Sequence, residues 1–410
     1  MATASTKSTA LWVLKRLRDA GHQAYFAGGC VRDMLLGVES TDYDLASDAT
    51  PDQVRQLFRR VLLVGAKFGV AMVIHHRQKV EVTTFRSDLS YHDGRRPEGV
   101  VFSDPREDAL RRDFTINGLF YDPLTEEVID YVEGQKDLRA GLVRTIGSPR
   151  QRFAEDYLRM IRAVRFTVRF GFRMDESTAE AIRQYAAHIT DISGERIFEE
   201  LGKMLVRESA AQAAEMLGEV RLAEAILPEL FAATGLWERG LGRLRMVAQR
   251  KDTTLALAAL MAELPAPAIE AICRRWGTSN ELREGLCLLA GHLDDWQRSA
   301  DMPLCQFKRL LAGRHFPRLL ALWDAQERLL TGESKLTGQA ACRARAIPDY
   351  NIAPRPLITG KHLKVLGLTE GPELGRILRA VYDAQLNEEI ATRREAMERA
   401  RQLLAEANGG

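Results

Sequence analysis

The sequence predicts an α+β protein, with a mixed head of strands and helices over the first 140 or so residues and an all-α remainder. Two observations carry that reading. Short runs rich in β-branched and aromatic residues, punctuated by Gly and Pro, are confined to the first third of the chain. From about Gln151, Ala, Leu, Glu and Arg recur at helical spacing to the end.

Taken in order, Leu11, Leu14 and Leu17 recur at helical spacing, so the acid-free start reads as a first helix rather than a transit peptide. Strands are expected over 23–28, 43–47, 70–75 and 80–86, and helices with Pro near their starts over 51–59 and 105–119. Gly- and Pro-bearing joints fall at 141–150, 236–242 and 347–360.

At 410 residues, with 46% hydrophobic and 28% charged positions, the chain is of globular composition and long enough for two to four folding units. No apolar run approaches the roughly 18 residues of a membrane-spanning helix, so no membrane partner is expected. Cys30, Cys273, Cys287, Cys305 and Cys342 are scattered and outside CxxC spacing, which excludes a disulfide framework or zinc site and fits the reducing cytoplasm. Lys and Arg number 58 against 56 acids, a net charge of +2 that names no partner by itself.

Chemistry enters with Asp42 and Asp44 in TDYDLAS. Side chains alternate along a strand, so residues two apart face the same way and can reach one hard cation such as Mg²⁺. Just before them, Phe26-Ala-Gly-Gly-Cys-Val-Arg-Asp33 offers Gly28 and Gly29 for close backbone approach to phosphate and Arg32 for its charge.

GGCVRDMLLG with DYDLASDATP, then RRDFTIN, RFAEDYLRMIRAVRF and GERIFEEL, follow one another over roughly the first half of the chain. This series resembles the signature motifs of the class II tRNA nucleotidyltransferase (CCA-adding enzyme) and bacterial poly(A) polymerase family. The resemblance implies a polymerase β-like nucleotidyltransferase head over 1–140, a helical neck that recognises the nucleotide base over 141–205, a helical RNA-binding body over 206–350 and a tRNA-binding tail over 351–410. It implies Mg²⁺ on Asp42 and Asp44, and transfer of C and A from CTP and ATP to the 3′ end of tRNA. Glu81 is the candidate third acid, with a solvent-facing strand residue as the equal alternative. Gly29, Arg32 and Arg112 fall at nucleotide-binding positions, with Asn117 near the sugar and Asp113 as a helix anchor.

Asp156, Arg159, Arg162 and Arg165 repeat every three residues on a predicted helix. A carboxylate only accepts and a guanidinium only donates, so an Asp beside an Arg matches the amino group and ring acceptor shared by cytosine and adenine, and mismatches uracil and guanine. By the resemblance, Asp156 and Arg159 read the base while Arg162 and Arg165 support base or phosphates. The polar stretch 86–98 occupies the place of the family's flexible loop. The segment Gly65-Ala-Lys-Phe-Gly-Val70 favours the tRNA-modifying branch, with A-only addition, poly(A) synthesis and a catalytically inactive RNA-binding module as alternatives. In the body, Arg239, Arg243, Arg245, Arg250 and Lys251 form an acid-free basic run that could contact phosphates or simply be solvated. The near-zero net charge is uneven: residues 139–173 hold nine arginines against Glu155 and Asp156, where triphosphate and RNA are expected to lie.

Overall fold

The computed structural model describes residues 5–63, 69–88 and 100–408. The chain divides into two compact units, Met1–Ala232 with Arg274–Thr278, and Ala233–Cys273 with Ser279–Gly410.

The first unit begins with helix α1 (Thr6–Asp19), capped by the Ser5 hydroxyl, which buries Ala10, Val13, Leu14 and Leu17 at the anticipated spacing. Strands β1 (Ala24–Ala27), β2 (Leu45–Ser47), β3 (Val61–Leu62), β4 (Val70–His75) and β5 (Gln78–Thr84) follow, with helix α2 (Gly29–Leu35) after β1 and α3 (Pro51–Leu57) after β2. A small ribbon pairs β6 (Arg86–Asp88) with β7 (Val100–Phe102), and helix α4 (Pro105–Leu110) comes next. Strands β8 (Leu119–Asp122) and β9 (Glu127–Asp130) complete a seven-stranded sheet in the order β3-β4-β5-β2-β1-β8-β9, parallel only where β2 meets β5. Phe26, Leu45, Val73, Val80 and Val82 of one face pack with α1. Ala27, Ala46, Phe85, Ala109 and Phe120 form a second cluster.

Helix α5 (Gly134–Arg139) leads to strand β10 (Leu142–Val143), then to α6 (Pro149–Glu155) and α7 (Leu158–Phe170). Strand β11 (Arg173–Met174) pairs in parallel with β10, a short exception to the expected all-α remainder. Helices α8 (Glu176–Tyr185) and α9 (Gly194–Leu205) follow, and α7 packs on α9. The start of α9 is built on a close approach: a Cβ at Gly194 would lie 1.8 Å from the Arg275 carbonyl oxygen, so only glycine fits. Phe198 of α9 stacks on Trp276 at 5.8 Å, and Arg275 pairs with Glu229, which accounts for the return of 274–278 to this unit.

The second unit is helical throughout its described residues. Helix Thr253–Met261 buries every residue from Leu255 to Met261. Arg243, in helix Leu236–Val247, is 0% exposed and donates to the Ala259 carbonyl, Glu263 and Gln326. Arg239 makes a fork onto the same Glu263. Arg243 is therefore an internal strut rather than a solvated or phosphate-facing charge, while Arg239, paired with Glu263, keeps 40% of its side chain exposed. The joint expected over 236–242 also lies inside that helix, whereas the boundary between units falls at 232/233. Ile358, Leu363, Ile377, Val381, Ala396, Ala400 and Leu403 form a separate apolar cluster near the C-terminal end.

Candidate active site

The strand ladder places the acids. The amide of Ala27 donates to the Asp44 carbonyl at 3.0 Å, carrying β1–β2 pairing one step beyond β2. Asp42 and Asp44 thus stand on the extended approach to β2 rather than within it, and both line one cleft of about 830 Å³. In the parallel pairing Leu45 lies level with Val82, so one residue back Asp44 comes beside Glu81. Burial, the Glu81 carboxylate and the Asp42 carboxylate together push Asp44 up to about 6, with Arg112 opposing. A carboxylate cluster that disfavours its own ionisation is a fitting seat for a cation. Among the described residues no three His, Cys, Asp or Glu side chains converge into a complete cage. Magnesium on nucleotides is held by one or two carboxylates with positions left for phosphate and water, so the donor set fits.

Opposite the acids, Gly28 adopts φ +70°, and a Cβ there would meet Arg112 Nη1 at 2.8 Å. The missing side chain therefore lets Arg112 come down against the β1–α2 turn, and the rest of its guanidinium is anchored by buried Asp108 at 2.9 Å. Arg32 is only 3% exposed. Its fork is committed to Asp33 at 2.6–2.8 Å and to the Asn117 side chain, with its carbon centre over the rings of Phe166 and Phe170. Arg32 thus serves the cleft wall as a built-in strut as well as a charge.

The stripe expected to read the base is not one continuous helix. Helix α6 ends at Glu155, Asp156 is extended at φ −155°, ψ 103°, and α7 starts at Leu158. Asp156 therefore sits in a break, off the helix that carries Arg159, Arg162 and Arg165. The cause is local: its carboxylate accepts from the Leu158 amide, the competition through which Asp interrupts helices and starts new ones. The helix expected over 105–119 also stops early, at Leu110. Asp113 accepts there from the Phe114 amide and the Asn117 side chain, and Phe114 bridges to Thr145.

Each stripe residue has an internal partner. Asp156 accepts from Arg196 at 2.9 Å, Arg159 pairs with Glu155, Arg162 with Asp113 at 2.6 Å and Arg165 with buried Glu200 at 2.7 Å. Burial would raise the Asp113 carboxyl, but Arg162 and the Asn117 hydrogen bond outweigh it and hold the group far below the usual carboxylate range. Arg169 reaches Asp33 at 3.3 Å, a second tie between α7 and α2. Arg196, Glu200 and Lys203, which also pairs with Glu200, come from one face of α9.

Gly29, Arg32, Asp42, Asp44, Glu81, Arg112, Asp156, Arg159, Arg162 and Arg165 all line the same cleft. Sequence reasoning missed Arg169, Arg196 and Lys203 in that wall, and Glu200 behind it. The GERIFEEL motif was visible, and its i, i+4 and i+7 spacing from Arg196 was the available signal for a shared face. Most of the flexible-loop stretch, 89–98, and most of the Gly65–Val70 segment, 65–68, lie outside the described residues.

The family described as "Poly A polymerase head domain" matches residues 24–144, and "Probable RNA and SrmB- binding site of polymerase A" matches 171–234. Over 399 residues, 95% of each chain, the sequence is 32% identical to the CCA-adding enzyme of Lactobacillus helveticus. The chain belongs to the CCA-adding enzyme and bacterial poly(A) polymerase family. Within that family it is also 41% identical to Poly(A) polymerase I of Escherichia coli O6:H1 over 235 residues, 54% of this chain and 50% of that protein. The crystal structure of the Bacillus stearothermophilus CCA-adding enzyme in complex with CTP superposes with a TM-score of 0.77 at 30% identity, covering 96% of this chain and 97% of that one. The Thermotoga maritima CCA-adding enzyme complexed with tRNA shares the fold at 18% identity and a TM-score of 0.69.

Proposed function

We propose that this chain completes the 3′ CCA of tRNA, adding C and A from CTP and ATP without a nucleic-acid template. One observation carries the reading: paired acids at Asp42 and Asp44 and an Asp–Arg pair at Asp156 and Arg159 line one cleft, in a chain matched along 95% of its length by a CCA-adding enzyme.

The chemistry follows from the residues. Asp42 and Asp44, with Glu81 beside them, would hold Mg²⁺, which when bound lowers the barrier to attack by the RNA 3′-hydroxyl and neutralises charge on the leaving pyrophosphate. Gly28 and Gly29 open the turn to the triphosphate, and Arg112 holds a fixed positive charge against it. Asp156 accepts from the amino group of cytosine or adenine, and Arg159 donates to the neighbouring ring nitrogen. Uracil and guanine set acceptor against acceptor at the same place, the kind of mismatch that polar sites reject steeply. Arg162 and Arg165, pinned by Asp113 and Glu200, hold the shape and charge of that wall.

We assign the head to residues 1–140, the base-reading neck to 141–205, the body to 206–350 and the tRNA-binding tail to 351–410. The cytoplasm is the expected location, and no helix among the described residues is long and apolar enough to cross a membrane.

The deciding experiment offers tRNA transcripts ending before C74, after C75 and after the complete CCA, each with one labelled NTP at a time. Ordered addition of C, C and A supports the proposal, and A alone after CC identifies an A-adding specialist. Poly(A) synthesis is the second reading, because 54% of the chain is 41% identical to a poly(A) polymerase, and long oligo(A) on any RNA would establish it instead. In the same assay Asp156→Ala should relax the preference for C and A over U and G; unchanged selectivity would remove the template role.

A further inference from the structure

The break between α6 and α7 has an outer corner, and that corner is aromatic. Asp156 and Arg159 belong to one tight turn: the Arg159 amide donates to the Asp156 carbonyl at 3.1 Å and the Met160 amide to the Tyr157 carbonyl at 3.0 Å. Asp156, Leu158 and Arg159 line the cleft, whereas Tyr157 does not. Its ring lies instead against His188, at 5.0 Å and 12° from parallel, with Tyr185 at 6.3 Å completing a three-ring cluster. His188 is in turn held by Asp191 at 3.0 Å, within the short 3₁₀ helix Ala186–Asp191 that follows α8.

A carboxylate on an extended residue between two helices has little helical scaffolding of its own, and base discrimination depends on where its oxygens stand. We propose that Tyr157 is a positioning residue for base selection: its ring, seated on His188 and Tyr185, fixes the turn that presents Asp156 and Arg159 to the base. This rests on the reading of those two residues as the base template. Tyr157 does not line the cleft and acts through its neighbours. The ring cluster lies outside the cleft lining, so it holds the turn without occupying any donor or acceptor that the base requires.

The test measures single-nucleotide incorporation by the full chain, with CTP against UTP on tRNA ending before C74, for Tyr157→Ala, Tyr157→Phe, His188→Ala and Asp156→Ala. Tyr157→Ala should raise the KM for CTP and lower the C-over-U ratio of kcat/KM by about three- to tenfold, the size of one aromatic pair, with tRNA affinity unchanged. Tyr157→Phe keeps the ring and should keep the ratio. A Tyr157→Ala protein with the ratio and KM of the parent overturns the proposal, as does a Tyr157→Phe protein that matches Tyr157→Ala. If Tyr157→Ala does not fold, His188→Ala carries the test, with a smaller loss of selectivity expected and an unchanged ratio overturning the proposal. Asp156→Ala separates the two claims. Relaxed selectivity there with a normal Tyr157→Ala overturns the positioning role alone, while normal selectivity in Asp156→Ala overturns the template and the positioning role with it.

Discussion

Asp113→Asn replaces one oxygen of a carboxylate that accepts from the Phe114 amide, the Asn117 side chain, and both Nε and Nη2 of Arg162. The amide keeps the shape but loses the charge, leaving Arg162 without its counterion. Removing one partner of a buried ion pair costs about 3–5 kcal/mol, and because Arg162 keeps 32% of its side chain open to the cleft the lower end, about 3 kcal/mol, applies here. For a unit of this size that corresponds to a Tm lower by about 6–12 °C. The pH dependence gives a second signature. The native state holds Asp113 below its ordinary 3.8, so as pH falls through that value the unfolded chain takes up a proton that the folded chain does not. The stabilisation is therefore complete above pH ~4 and shrinks as the solution is acidified further. Thermal unfolding of both proteins between pH 7 and about 3 reads this directly: the gap in Tm is expected to be large at neutrality and to narrow with acid. A gap under about 2 °C at pH 7, or one that does not narrow, would refute the assignment of Asp113 as the buried anchor of Arg162.

Asp42→Ala should abolish nucleotide incorporation while leaving tRNA affinity intact in a filter-binding assay; substantial residual activity would remove the metal role. Gly194→Ala drives a methyl group to 1.8 Å from the Arg275 carbonyl oxygen, so α9 must move and a loss of several kcal/mol, on the order of the largest single-residue effects, is expected in a denaturant titration. Arg243→Ala should lower the stability of the second unit by about 2–4 kcal/mol, because its removal leaves Glu263 and Gln326 short of a donor. The same variant, measured below its unfolding temperature, should leave the salt dependence of tRNA binding unchanged; a shallower slope would restore Arg243 as a phosphate contact.

The residues that line the candidate site were legible because they sit in short, local patterns. Asp42 and Asp44 announce themselves by spacing, and extended backbone turns that spacing into a shared direction whether or not hydrogen bonding closes a formal strand there. Helix α1 could be read from Leu11, Leu14 and Leu17 because burial follows helical period. Long-range pairings were not legible. Nothing near Glu200 in sequence shows that Arg165, 35 residues earlier, will meet it, and no local pattern marks Arg243 as buried rather than solvated. The helix break at Asp156 lay between these cases: an acid with apolar residues following is a helix-start signal, but the surrounding Arg and Leu periodicity outvoted it. Strands β8 and β9 were missed because the run ahead of them looked helical until Asp113 intervened.

The paired arginines of the cleft have a consequence for turnover. A long, mobile side chain that must be immobilised when a ligand arrives opposes binding with its lost freedom, by up to about 2 kcal/mol each. Here Arg32, Arg112, Arg162 and Arg165 are already immobilised by Asp33, Asp108, Asp113 and Glu200 when the chain folds. The cleft wall therefore has its ordering complete before any ligand enters, and its charge is already partly neutralised. Under the proposed function, ordering already complete favours binding while the partial neutralisation tempers it, a balance suited to a cleft that takes a different nucleotide at the next step.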